Sequence, residues 1–432
     1  MTLFMLTFIA LIAWLYLYKT FNRLDILTLF VISYLLFFDL LTIIYIYKND
    51  IKMDSLVSFF LLFYIFFSTF LIVFTSKLFL KKEYLESISF KVIIEKANIL
   101  SDKLSILSFV IITMIVVYYF VRYNLIFRVS SEFSQSDILN TYGIIISTFV
   151  IPLYNMLLII STSKLSNNCK KYRLFYFSSL LIIMIYFLLY GRREFILGIL
   201  IIILISTYQK NSNLFSIKKI PLLLLSFFLI VVASNFYQNI RIQIAAYSIA
   251  NNFVLKKSLL EYAFDFESSS KNIEDRTSIY DYTYLLMEKK LNNEFEPLYG
   301  EILYQSILNI IPSVLYPGKK VVNDDELINT TVKGIYSDMP NSVMASLLVD
   351  FGGLSYLIYP LFMITYIIIT AFIIHKFRKN ILLYLILVSI MIYSIFNVEE
   401  VIVNIFSNLR NMLILIVLMQ IIYYLKNFLR KS

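Results

Sequence analysis

The sequence predicts an all-α polytopic integral membrane protein of about 11 transmembrane helices (10–12) carrying one large, partly helical external loop. Three observations predict it. Apolar runs of about 17 to 22 residues, long enough to cross a bilayer, recur through a chain that is 60% hydrophobic with a mean hydropathy of +0.79. These runs are continuous, whereas a membrane β-barrel would show segments of about ten residues with alternating hydropathy. Finally, the basic residues gather in alternate connections between the runs, which is the topology signal of a multi-pass protein.

In chain order, Met1 to Tyr18 is apolar from its start and has no basic leader or small-residue cleavage site, so it is expected to be a retained span. Further spans are expected at Leu24–Tyr47, Leu56–Ser76, Leu104–Val121, Ile144–Ile160, Leu174–Tyr190, Phe195–Tyr208 and Ile220–Phe236. After the long loop come Leu354–Ile374, Ile381–Phe396 and Met412–Leu425. Between Leu80 and Ser101, Tyr84, Leu85, Ile88, Val92, Ile93 and Ala97 fall at helical spacing among charges, which suits a helix lying on the inner leaflet. The organisation expected is therefore an N-terminal helical bundle over 1–234, a loop domain over 235–352 and C-terminal transmembrane helices over 353–432.

Charge assigns the faces. The formal +10 could suggest a nucleic-acid partner, but residues 235–352 carry ten Lys/Arg against fifteen Asp/Glu, a net of −5 that leaves +15 for the rest. No nucleic-acid surface is expected, because the surplus sits between spans. The odd-numbered connections and the C-terminal tail hold 21 basic residues and the short even-numbered ones hold 7, so the odd side is cytoplasmic. The N-terminus and the long loop then face outward and the C-terminus inward.

Within the loop, Ser258–Glu267, Tyr282–Leu291 and Glu301–Ile311 have helical patterning. Ile302, Leu303, Ile307, Leu308, Ile310 and Ile311 give the last of these an apolar face, and Pro312 ends it. Such a face has to be covered by the bilayer surface or by the mouth of the bundle. The adjacent acids Asp324, Asp325 and Glu326 read as solvated surface. With one cysteine, Cys169, and one histidine, His375, internal disulfides and Cys/His metal sites are excluded by counting, and no metal is expected.

The chemistry-bearing residues on the outward face are arginines and carboxylates. Arg192, Arg193 and Arg241 lie at or near span ends on the side where basic residues are scarce, and guanidinium groups bind phosphate through two parallel hydrogen bonds. Arg276, Lys319 and Lys320 are further phosphate-binding candidates. For a general base acting on a sugar hydroxyl, the candidates are Glu399 and Glu400 between the last two spans, Glu194 beside the arginine pair, and Asp350 at the foot of the loop. Snorkelling arginines and solvated loop acids are the plain alternatives for each residue taken singly.

Three stretches resemble the Wzy-type O-antigen and capsular polysaccharide polymerases, the oligosaccharide repeat-unit polymerase family. Tyr190-Gly191-Arg192-Arg193-Glu194-Phe195-Ile196-Leu197 is similar to the Gly-Arg turn that opens an apolar span in that family. Ile311-Pro312-Ser313-Val314-Leu315-Tyr316-Pro317-Gly318-Lys319-Lys320 resembles its Pro-x4-Pro-x-Lys signature, and Asp350-Phe351-Gly352-Gly353-Leu354 fits before the next span. Together with the loop they cover about a third of the chain.

The resemblance implies a GT-C-like membrane glycosyltransferase at the outer face of the bacterial inner membrane. Its donor and acceptor would be undecaprenyl-pyrophosphate-linked glycans, its surroundings membrane lipid and its further partner a chain-length regulator. Pyrophosphate is a stable leaving group, so no nucleotide, metal or other cofactor is expected. An O-antigen ligase and a lipid-linked oligosaccharide flippase are the alternatives. The ligase family would lead us to expect an outward histidine, whereas His375 is predicted inside, and the single large loop breaks the two-halved symmetry common in transporters.

Overall fold

Apolar periodicity becomes helix throughout the described part of the chain, and the backbone hydrogen bonds are closed within each segment as a bilayer requires. The computed structural model describes residues 25–34, 55–123, 141–167, 170–190, 192–209, 278–311, 316, 324–332, 341–397 and 401–429. The helices are α1 (Ile26–Tyr34), α2 (Ser55–Phe79), α3 (Lys82–Ser87), α4 (Phe90–Ile99), α5 (Asp102–Tyr123), α6 (Thr141–Ser166), α7 (Arg173–Tyr190) and α8 (Arg192–Gln209). They continue as α9 (Ser278–Leu291), α10 (Glu301–Ile310), α11 (Asp324–Thr331), α12 (Val343–Phe351), α13 (Ser355–Phe377), α14 (Ile381–Phe396) and α15 (Ile402–Leu429). Among the described residues the one β-type contact is an isolated bridge between Asp25 and Ser89.

Four stretches among the described residues are long and apolar enough to cross a membrane: Leu56–Phe79, Phe149–Ser166, Val343–Phe377 and Ile402–Ile421. A fifth arises if α4 and α5, bent by 98°, count as one broken span. Arg173–Phe187, Leu197–Ser206 and Ile381–Phe396 are shorter apolar helices at positions where spans are expected. The expected spans Met1–Tyr18 and Ile220–Phe236, and the loop helix Ser258–Glu267, lie outside the described residues.

Two compact units divide the chain, and neither is continuous in sequence. One comprises Met1–Ser89, Ile273–Lys379 and Ile390–Ser432, the other Phe90–Asn272 and Asn380–Ser389.

In the second unit α6 is the central post, with α4, α5, α7 and α8 all packed on it. The stretch from Leu80 to Ser101 is two helices, α3 and α4, where the sequence suggests one. The apolar face of α4 is covered by protein, because Phe90, Ile93, Ile94 and Ala97 are buried and the helix packs on α6. Its bend into α5 is held by Lys164, whose Nζ donates to the carbonyls of Asn98 (2.9 Å) and Leu100 (2.6 Å) and lies 3.2 Å from Asp102 Oδ1. Tyr176 donates to the same carboxylate at 2.7 Å. The cation thus satisfies carbonyls that the bend leaves without helical partners.

In the first unit α2 and α13 form the main pair, joined by the buried Tyr64 and Tyr359 and the half-buried Tyr356. The α10 helix begins where the sequence places it and docks on α12 and α15, which covers its apolar face in part: Ile302 is buried, Leu303, Leu308, Ile310 and Ile311 are half-buried, and Ile307 is exposed. The α12 helix lies at the end of the stretch expected to be loop, with every residue from Val343 to Asp350 buried, and Ser342 caps its start by accepting the Ala345 N–H at 3.1 Å. With a short 3-10 turn, α12 and α13 run together as the apolar stretch Val343–Phe377.

Candidate functional site

The polar centre of the first unit forms where α10, α11 and α12 meet the start of α15. Its first member is Asp350, fully buried near the end of α12. Its Oδ1 accepts the backbone N–H groups of Gly300 (2.9 Å) and Ile302 (3.2 Å), and its Oδ2 accepts that of Leu303 (3.1 Å). A helix start leaves such N–H groups without intrahelical partners, and Gly300 at the N-cap has no side chain to offer. Asp350 therefore caps α10 from a distant part of the chain. The Tyr299 N–H to Asp350 carbonyl bond at 2.7 Å fastens the same segment.

The glycines of the Asp350-Phe351-Gly352-Gly353-Leu354 stretch divide by role. Gly352 has φ +55° at the end of α12, and a Cβ there would lie 2.9 Å from Pro297 Cγ and 3.0 Å from Lys290 Cε. That turn needs glycine on both counts. Gly353 has nothing within 4 Å of a Cβ.

The second member is Asp324, the first residue of α11. The reading of Asp324, Asp325 and Glu326 as solvated acids is corrected here, because Asp324 is fully buried and only Glu326 is exposed. Ser306 Oγ donates to Asp324 Oδ1 at 3.2 Å, while Oδ2 is buried without a hydrogen-bond partner. Burial pushes this carboxyl up to about 7, the nearby Asp325 and Asp350 add to the rise, and Ser306 and the Ile402 N–H oppose it. Asp325 is held differently, accepting from Asn341 Nδ2 at 3.0 Å. Asn341 Oδ1 in turn accepts from the Ser342 N–H (2.7 Å) and Ser346 Oγ (3.2 Å). Burial, then the charge of Asp325, raises the Tyr282 hydroxyl above its usual range.

The third member is Arg410 on α15, whose Nη1 reaches the Ile310 carbonyl at the end of α10 at 3.5 Å. Sequence reasoning placed this arginine in a connection and gave no role to Ser306 or Asn341. A usable signal existed for Ser306, which shares a helical face with Ile302 and Ile310 and so had to bring a polar group to a buried surface.

The remaining sequence candidates are distributed as follows. Arg192, Arg193 and Glu194 form the first turn of α8, in the second unit, at the positive end of the helix dipole. Arg241, Arg276, Lys319, Lys320, Glu399 and Glu400 lie outside the described residues. Asp350 belongs to the first unit, with both oxygens engaged. Among the described residues no group of three or more His, Cys, Asp or Glu side chains could hold a metal ion. No family model, curated protein or solved structure matches the chain.

Proposed function

We propose that this chain is a membrane glycosyltransferase that polymerises undecaprenyl-pyrophosphate-linked repeat units at the outer face of a bacterial inner membrane. The observation that carries the reading is the position of Arg192 and Arg193 in the first turn of an apolar helix. Helix starts present unpaired N–H groups and a partial positive charge, which suit a phosphate, and an arginine pair adds two charged donors at the same end. In the proposed reaction Arg192, Arg193 and Arg241 bind the donor pyrophosphate and stabilise it as the glycan leaves, with Arg276, Lys319 and Lys320 as secondary contacts. The terminal sugar hydroxyl of the acceptor attacks the anomeric carbon, the bond to pyrophosphate breaks, and a carboxylate takes the hydroxyl proton.

Glu399 and Glu400 are the first candidates for that base, followed by Glu194. Asp350 is assigned to anchoring α10, because three backbone N–H groups take three of its roughly four lone-pair sites. Two further features support an organised outward domain: α10 is docked on α12 and α15, and the loop is tied by buried polar side chains.

Deleting the gene in its host and resolving the surface polysaccharide on a gel tests the proposal. Single capped repeat units are the expected result. Uncapped lipid A would indicate a ligase instead, and loss of surface glycan with lipid-linked units accumulating inside would indicate a flippase.

A further inference from the structure

Arg410 lies within Ile402–Ile421, a stretch apolar enough to cross a membrane, where a permanently charged side chain needs a reason. Its guanidinium is partly buried beneath the docked end of α10. The Nη1 contact to the Ile310 carbonyl is long, at 3.5 Å, and Nε is buried with no hydrogen-bond partner. Among the described residues no carboxylate pairs with it. A desolvated cation with an unused donor is a costly arrangement unless an anion completes it.

Helix length says at what depth that anion would sit. The α15 helix has 28 residues, which makes it about 42 Å long, against a hydrocarbon core of about 30 Å. The helix therefore outreaches the core, and the expected span Met412–Leu425 begins just after Arg410, which puts the guanidinium at its edge, at headgroup level. The exposure pattern agrees. The outward-facing apolar side chains of α15 begin just after Arg410, with Leu413, Ile414, Val417, Leu418 and Ile421. A snorkelling arginine would extend its head into water, whereas here Nε is buried and Nη1 is turned to the end of α10.

We infer that Arg410 holds a lipid-borne phosphate at the junction of α10 and α15. Nε donates to a phosphate oxygen, with the adjacent Nη group as the second tine of the fork, and the Ile310 carbonyl fixes the plane of the guanidinium. The same chemistry fits two sources, the pyrophosphate of a polyprenyl carrier and the phosphodiester of a bulk phospholipid. The inference rests on the geometry of the first unit and stands apart from sugar transfer.

The test is lipid binding to the purified full-length protein in an uncharged detergent. Native mass spectrometry would be run with undecaprenyl pyrophosphate and, separately, with phosphatidylglycerol, on wild type, Arg410→Lys and Arg410→Gln. Lysine keeps the charge and stem but loses the planar fork, so binding of the lipid it serves is expected to weaken about ten-fold in Arg410→Lys and further in Arg410→Gln. Should Arg410→Gln fail to fold, Arg410→Lys carries the comparison. A loss confined to undecaprenyl pyrophosphate identifies the carrier as the source, and an equal loss with phosphatidylglycerol identifies the bilayer. Retention of both lipids equally by all three proteins, or of neither by wild type, overturns the inference. Because the readout is binding, a chain that transfers no sugar can still pass.

Discussion

Ser306 donates to one oxygen of Asp324 at 3.2 Å, and the other oxygen of that buried carboxyl meets no donor. One hydroxyl and one backbone N–H, that of Ile402, face a group that Asp325 and Asp350 crowd with like charge. The consequence is a proton held near neutral pH at the place where α10, α11 and α12 join the start of α15.

The first prediction follows from the sign of that shift. The carboxyl is raised from 3.8 to about 7 in the folded protein. Below about pH 4 it is neutral folded and unfolded alike and costs nothing. As pH rises from there to about 7, the unfolded chain ionises freely while the folded one must keep the proton or bury a charge, so stability falls across that window and levels off above it. The loss is on the order of 2 to 4 kcal/mol. Thermal unfolding of wild type and Asp324→Asn between pH 5 and 8 checks it. The variant is expected to lose most of the slope and to match or exceed wild type at pH 8, and an unchanged slope would refute the assignment.

Asp350 gives a prediction that separates anchoring from catalysis. In Asp350→Asn the amide presents N–H to N–H at one of three backbone donors, so about 2 to 3 kcal/mol should be lost and α10 should become accessible to protease. Limited proteolysis and thermal unfolding measure this. A variant as stable as wild type but without activity would return Asp350 to the list of bases.

The adjacent glycines form a matched pair. Gly352→Ala forces a side chain into a positive-φ position against Pro297 and Lys290 and should cost about 1 to 3 kcal/mol. Gly353→Ala meets open space and should change stability by under about 0.5 kcal/mol. Equal effects in the two variants would show that the turn is not built as described.

Much of the helical layout was legible from hydropathy alone. The α8 helix extends the expected Phe195–Tyr208 by only a few residues, and α10 matches Glu301–Ile311 to within one. Both carry their information locally, in apolar spacing and a proline stop. The α12 helix was not anticipated as an element of its own, although Ser342 before an apolar run is a helix-start signal. Asp324 was misread for a different reason. Its burial depends on Ser306, 18 residues away, and on Ile402, and no local window contains those neighbours.

The topological expectation can be checked at positions that the structure shows to be exposed. In a Cys169-free background, Asn292→Cys lies between α9 and α10 and Glu86→Cys lies on α3. The distribution of 21 against 7 basic residues predicts that an impermeant thiol reagent labels the first and spares the second in intact spheroplasts. Labelling of Glu86→Cys alone would invert the arrangement.

The central claim is the arginine-bound pyrophosphate, and repeat-unit transfer by purified enzyme from lipid-linked substrate measures it most directly. Lysine retains charge but not the bidentate fork, and losing one charge-assisted hydrogen bond in the transition state is worth roughly 1.5 to 3 kcal/mol. Arg192→Lys, Arg193→Lys and Arg241→Lys are each assayed at matched protein level. The account predicts that Arg241→Lys and at least one of the Arg192 and Arg193 variants slow transfer about ten- to a hundred-fold. Full transfer rates in all three variants would contradict it.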